Sequence, residues 1–122
     1  MKFWYGVVTS KLSESRDFYV KLFGCEIVFE QDWFVLLKLG ESELGFLAPE
    51  RADQAPIFRR AFQGQGVWIA VESENVDADY MRIKAMNVPI EVPLRDEPWG
   101  DRHFAVVDPN GIGVDVLQQR GV

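Results

Sequence analysis

Apolar and polar positions along the chain fall into two rhythms, and the pair of rhythms occurs twice. Lys2–Ser10 is dense in β-formers and predicts a strand. Leu12, Ser15, Tyr19 and Leu22 then recur at helical spacing, with Phe18 and Phe23 widening the stripe. Glu14, Arg16 and Asp17 supply the polar face, Ser13 is the expected N-cap, and Gly24 the expected stop. Three short strands follow, Cys25–Glu30, Trp33–Leu39 and Glu43–Ala48, with turns at Gln31-Asp32 and Gly40-Glu41-Ser42. A connector from Pro49 to Gly66 carries Pro56 and Gly64 and a short helical stretch around Ile57–Phe62.

The order then repeats. Val67–Ser73 predicts a strand, and Asn75 caps a helix with Val76, Tyr80, Ile83 and Met86 on one face. Strands are expected at Ile90–Leu94, Arg102–Val107 and Ile112–Leu117. The last two flank Asp108-Pro109-Asn110-Gly111, where Pro109 presets φ and Asn110 and Gly111 tolerate left-handed geometry. A constant shift aligns Trp4 with Trp68, Val7 with Val71, Leu12 with Val76, Tyr19 with Ile83 and Leu22 with Met86. A slightly longer shift sets Phe34 on Phe104, Leu44 on Val114 and Trp33 on His103. This is a βαβββ unit written twice: module one at 1–48, a connector at 49–66, and module two at 67–118 of a single α+β domain.

Composition narrows the partners. The net charge of −6 lacks the clustered Lys and Arg that a nucleic-acid surface requires. No apolar run approaches the roughly 20 residues of a membrane helix. The N-terminus shows no signal-peptide pattern, so a cytoplasmic location is expected. Cys25 is the sole cysteine, which excludes an intrachain disulfide and a cysteine zinc cluster; it reads as a small core residue. With one histidine, no Ser–His–Asp or Cys–His arrangement can be argued.

Two stretches carry a resemblance. KLSESRDFYVKLFGCEIVFE is similar to the first helix and second strand of the vicinal oxygen chelate superfamily, which includes glyoxalase I, bleomycin-resistance proteins and extradiol dioxygenases. PWGDRHFAVVDPNGIGVDVLQ is similar to that family's final hairpin. The resemblance covers nearly the whole chain. It implies two βαβββ modules forming a cleft between curled mixed sheets, often completed in a homodimer. In metal-dependent members, histidines at the start of each module's first strand and carboxylates on its last strand hold a divalent cation. Carried over by position, Trp4 and Trp68 stand where the histidines would be. The first acidic position falls on Gly45, or on Glu43 with a two-residue shift, and only Asp115 keeps a carboxylate.

That substitution changes the expected chemistry. Indole offers only an N–H donor and cannot bind a divalent metal. No cofactor is therefore expected, and a site for Zn, Ni, Mn or Fe from Asp115, His103 and Glu43 is the minority reading. Strand alternation puts His103 on the same side as Asp115, where a hydrogen-bonded pair is the commoner outcome. Trp4, Trp33 and Trp68 read as strand residues that either form an aromatic box or simply fill the core. Trp99 and Arg102 follow Pro98 at the cleft mouth; Arg102 either anchors an anionic group or makes a structural ion pair. The resemblance implies a metal-independent binder similar to bleomycin-resistance proteins, taking a small aromatic, cationic or amphipathic molecule. Two alternatives stand beside it: a divergent metal-dependent lyase or dioxygenase, and an interaction module with a filled cavity.

Overall fold

Alternation along the strands decides which side chains meet a helix and which face away from it. The computed structural model describes residues 1–121, and the chain divides into two units, Met1–Gly64 and Gln65–Val122. In the first, strands β1 (Tyr5–Val8), β2 (Glu26–Glu30), β3 (Phe34–Leu39) and β4 (Ser42–Leu47) form a sheet in the order β1-β4-β3-β2. β1 runs parallel to β4 and the other pairs are antiparallel. Val7, Val35, Leu37 and Phe46 point to one side and are buried, as are Tyr19 and Leu22 of helix α1 (Leu12–Phe23). The rings of Tyr19 and Phe46 sit 5.7 Å apart. Each such side chain contributes roughly 1.5–3 kcal/mol when fully buried.

The second unit repeats the plan with β5 (Trp68–Glu72), helix α2 (Val76–Lys84), β6 (Val92–Asp96), β7 (Asp101–Val107) and β8 (Gly113–Gln119). Its sheet order is β5-β8-β7-β6, again with one parallel pair, β5 with β8. Phe104, Val106, Val114 and Val116 are buried on the α2 side, with Val76 and Ile83, and Tyr80 meets Phe104 edge-to-face at 5.1 Å. Pro93 lies in the edge strand β6, where a missing N–H is tolerated, and the register slips between Val92 and Arg95. The α+β architecture of two βαβββ units is therefore the one the sequence pattern predicts.

Local details differ from that pattern. Ser13 lies inside the first turn of α1; the N-cap is Lys11, which has no side-chain cap bond, and Thr9 Oγ1 instead accepts from the Lys11 N–H at 3.0 Å. Gly24 does end α1, in the left-handed conformation at φ 70°. The strand expected at Lys2–Ser10 is only Tyr5–Val8, so Trp4 precedes it, and Trp33 likewise precedes β3. The helical stretch near Ile57–Phe62 is a 3₁₀ turn at Pro56–Phe58, too short to be an α-helix. Most of the connector folds with the first unit: the Phe62 N–H donates to the Val8 carbonyl at 2.8 Å and covers the edge of β1.

Asn75 caps α2 as expected, its Oδ1 accepting from the Ala78 N–H at 3.1 Å. Because α2 has only nine residues, one unsatisfied N-terminal donor is a large share of its terminal bonding. Asn75→Ala is expected to lower stability by about 1 kcal/mol in urea denaturation. A change of less than about 0.3 kcal/mol would show that the cap is dispensable.

Candidate functional site

The sheet face turned away from each helix carries the chemistry. In the second unit, Ala70 pairs with Asp115 on one side and Ala105 pairs with it on the other, so these three share that face. Trp68, His103 and Leu117 follow by two-residue alternation. Small alanines beside Asp115 leave its carboxylate accessible, at 26% side-chain exposure. His103 Nδ1–H donates to Asp115 Oδ1 at 2.7 Å, and its Nε2–H donates to Glu97 Oε2, also at 2.7 Å. An ionised carboxylate only accepts, so this double contact is made by the imidazolium form.

Glu97 sits in the turn between β6 and β7, closed by the Glu97 N–H to Asp101 carbonyl bond at 2.8 Å. Arg95 also holds it, through Nε at 2.8 Å. Partial burial pulls the His103 imidazole down, but hydrogen bonds to Glu97 and Asp115 and their charges outweigh it and raise its pKa above 6.5. The bond from His103, then that from Arg95, hold the Glu97 carboxyl below its ordinary 4.5. Trp99, at the tip of the same turn, is exposed; its Nε1–H donates to Asp101 Oδ2 at 3.0 Å and its ring meets His103 edge-on at 6.4 Å.

The corresponding face of the first unit has no such polar cluster at the equivalent position. Gly6 pairs with Gly45 as Ala70 pairs with Asp115, so Gly45, not Glu43, is the counterpart of Asp115. Val35 pairs with Phe46 as Phe104 pairs with Val116, which makes Phe34 the counterpart of His103. The alignments of Phe34 with Phe104 and of Trp33 with His103 are each one residue out, because the link between β3 and β4 is shorter than that between β7 and β8. A Cβ at Gly45 would lie 2.9 Å from the Trp4 ring and 3.0 Å from the Phe34 ring. Two aromatic rings thus fill the space a side chain at position 45 would take. Glu43 is paired with Lys2 at the margin of this sheet.

The expected site residues therefore separate. His103, Asp115, Trp68 and Trp99 gather in the second unit; Trp4 and Trp33 belong to the first. Arg102 alternates to the opposite side of β7 from His103, and there its guanidinium binds Asp77, with Nη2 at 2.9 Å from Oδ1. It is an ion-pair residue of the α2 end, with Arg120 bound to the same carboxylate at 2.8 Å. Residue spacing did not find Glu97; the turn signal Glu97-Pro98-Trp99-Gly100 was its only local mark. Burial pushes the Cys25 thiol up to about 11, which removes it as a nucleophile at neutral pH. Among the described residues, no group of three or more His, Cys, Asp or Glu side chains is placed to hold a metal ion.

Two mixed four-stranded sheets, each with a parallel outer pair and one helix, define the paired-βαβββ class. The chain belongs to the Glyoxalase/Bleomycin resistance protein/Dioxygenase superfamily, whose family profile matches residues 3–116. It is similar to the bleomycin resistance proteins of Geobacillus stearothermophilus and Staphylococcus aureus, each 27% identical over 119 residues, covering 88% of this chain and 89% of theirs. Among solved structures it is similar to a lactoylglutathione lyase from Agrobacterium tumefaciens, with a TM-score of 0.79 and 27% identity. That match covers 96% of this chain and 92% of the other. Among the described residues, no helix is long and apolar enough to cross a membrane.

Proposed function

We propose that the chain is a metal-independent small-molecule binding protein whose ligand is an aromatic or amphipathic cation. The observation that carries this reading is the Asp115 carboxylate, accessible on an open face among Trp68, Trp99 and His103. Indole faces and a carboxylate together recognise a flat or alkylated cation, and the overall charge of −6 attracts one. The donor chemistry argues against a divalent metal. Both His103 nitrogens carry protons toward carboxylates, Trp68 has no lone pair to give, and rings occupy the space at Gly45. The similarity to bleomycin resistance proteins supports the same reading.

Exposed apolar side chains on the open faces, Trp4, Phe29, Trp68 and Val107, support a homodimer as the working form. Light scattering behind a sizing column reads that directly, and a monomer at every concentration would remove it. Ligand binding is tested by calorimetry with bleomycin and with N-methylacridinium. Asp115→Asn is expected to weaken both by at least about tenfold, roughly 1.4 kcal/mol, with the fold intact. Wild-type protein that binds neither compound would sink the binder. A stoichiometric metal lost in Asp115→Asn would replace it with the metal-dependent lyase reading.

A further inference from the structure

Trp33 is not absorbed by the site around Asp115, and its surroundings are specific. Its ring stacks on Phe34 at 5.7 Å and meets Phe29 edge-on at 6.1 Å, so two neighbours hold the indole in place. The guanidinium of Arg51 lies over that indole, 4.8 Å from the ring centre. Arg51 is also bonded to Asp53, with Nε to Oδ1 at 3.0 Å and Nη2 to Oδ2 at 2.7 Å. The charge of Asp32, next in sequence to Trp33, acts on the same guanidinium. A fixed indole face with the Asp32 charge near it is a seat for an organic cation, and a cation from the chain itself occupies it.

The loop that carries Arg51 does not depend on Arg51 for its shape. Arg59 ties it, through Nε to the Gln54 carbonyl at 2.6 Å and Nη2 to the Ala52 carbonyl at 3.2 Å. The Glu50 N–H donates to the Arg59 carbonyl at 2.7 Å and closes the loop from the other end. The Arg51 side chain can therefore leave the ring while the backbone stays in place. Its partner Asp53 is two residues away and exposed, so the departing guanidinium keeps a counter-ion.

We propose that the Trp33 face is a second binding seat, for a quaternary ammonium or guanidinium group, and that Arg51 is its built-in competitor. A cationic ligand would enter by displacing the Arg51 guanidinium toward solvent, still paired with Asp53. The ligand's charge class rests on the binder reading above, whereas the occupied seat belongs to the first unit alone. Arg51 thus sets a threshold: only a cation that stacks better than a tethered guanidinium is captured.

Tetramethylammonium, with tert-butanol as its uncharged counterpart, tests this by the amide and indole signals of labelled protein. In Arg51→Ala the Trp33 indole N–H is expected to titrate with tetramethylammonium at a midpoint at least about tenfold below that of wild type. tert-Butanol should leave it unmoved, and Trp33→Phe in the Arg51→Ala background should weaken the accompanying shifts of the Phe29 and Phe34 amide signals. Equal midpoints with and without Arg51 would overturn the competitor role. No response of the Trp33 indole in Arg51→Ala, with the fold intact, would overturn the seat itself. Signals of Trp68 and Asp115, followed with N-methylacridinium in the same samples, report the other site, so failure of one reading is distinguishable from failure of the other.

Discussion

Gly45→Glu is expected to destabilise the protein by about 2–4 kcal/mol, the sum of an overpacking cost and the cost of burying a charge beside rings. The substitution restores a carboxylate to the position that corresponds to Asp115, so by residue type alone it moves the chain toward a metal site. The structure opposes it. The first carbon of the new side chain would sit 2.9 Å from Trp4 and 3.0 Å from Phe34, and Gly45 is buried. Both contacts are with the far ends of rings, so part of the cost is recoverable by moving them. Trp4, at 54% exposure, is the ring that can move. Trp4→Ala in the same chain is therefore expected to return about 1 kcal/mol, a coupling that a double-mutant cycle in urea measures. Destabilisation below about 0.5 kcal/mol would show that the space is not filled. Nickel or zinc taken up stoichiometrically by the Gly45→Glu protein would contradict the donor argument.

The second large effect is set by pH. Both bonds of His103 require the imidazolium, and folding raises its pKa above 6.5. A raised pKa contributes stability that is complete below 6.5 and disappears as pH climbs through the folded-state value. Glu97 has the opposite sign: its depressed pKa contributes stability above 4.5 that is lost as pH falls through the folded-state value. The clamp is thus at full strength between the two. The melting temperature is expected to decline on the alkaline side of that window. Just above the window the decline belongs to His103, the single histidine of the chain; the Cys25 thiol, which burial pushes up to about 11, adds a further decline only above its ordinary 9. His103→Leu is expected to lower the melting temperature by about 5–10 °C within the window, because it leaves two carboxylates without their shared donor, and to flatten the alkaline decline. An unaltered alkaline limb in His103→Leu would mean that another group titrates.

Much of this was legible in the residues. The helical stripe of Tyr19 and Leu22, the stop at Gly24, the Asn75 cap and the turn at Asp108 each depend on neighbours a few positions away, and each is found where the pattern puts it. Alternation also sufficed to put His103 beside Asp115, since the two strands are joined by a short turn of known type. The pattern failed where the decisive quantity was a count of residues in a link. One residue of difference between the β3–β4 and β7–β8 links moved Trp33 off the His103 position and put Phe34 there. Arg102, one residue before His103 in the same strand, faces the other side of the sheet by the same alternation that puts His103 beside Asp115.

Two βαβββ units, and the side of each strand that meets a helix, could be read from the residues alone. Those features follow from periodicity and side-chain chemistry, which act within a few residues. That Glu97 closes the clamp on His103, that Trp4 and Phe34 fill the cell at Gly45, and that Arg51 lies on Trp33 emerges from the folded chain. Each of these joins residues from different elements, and their meeting depends on strand register and loop path. A register changes sides with a single residue, so it is legible where a short turn of known type fixes it, as for His103 and Asp115, and not where a longer loop path does.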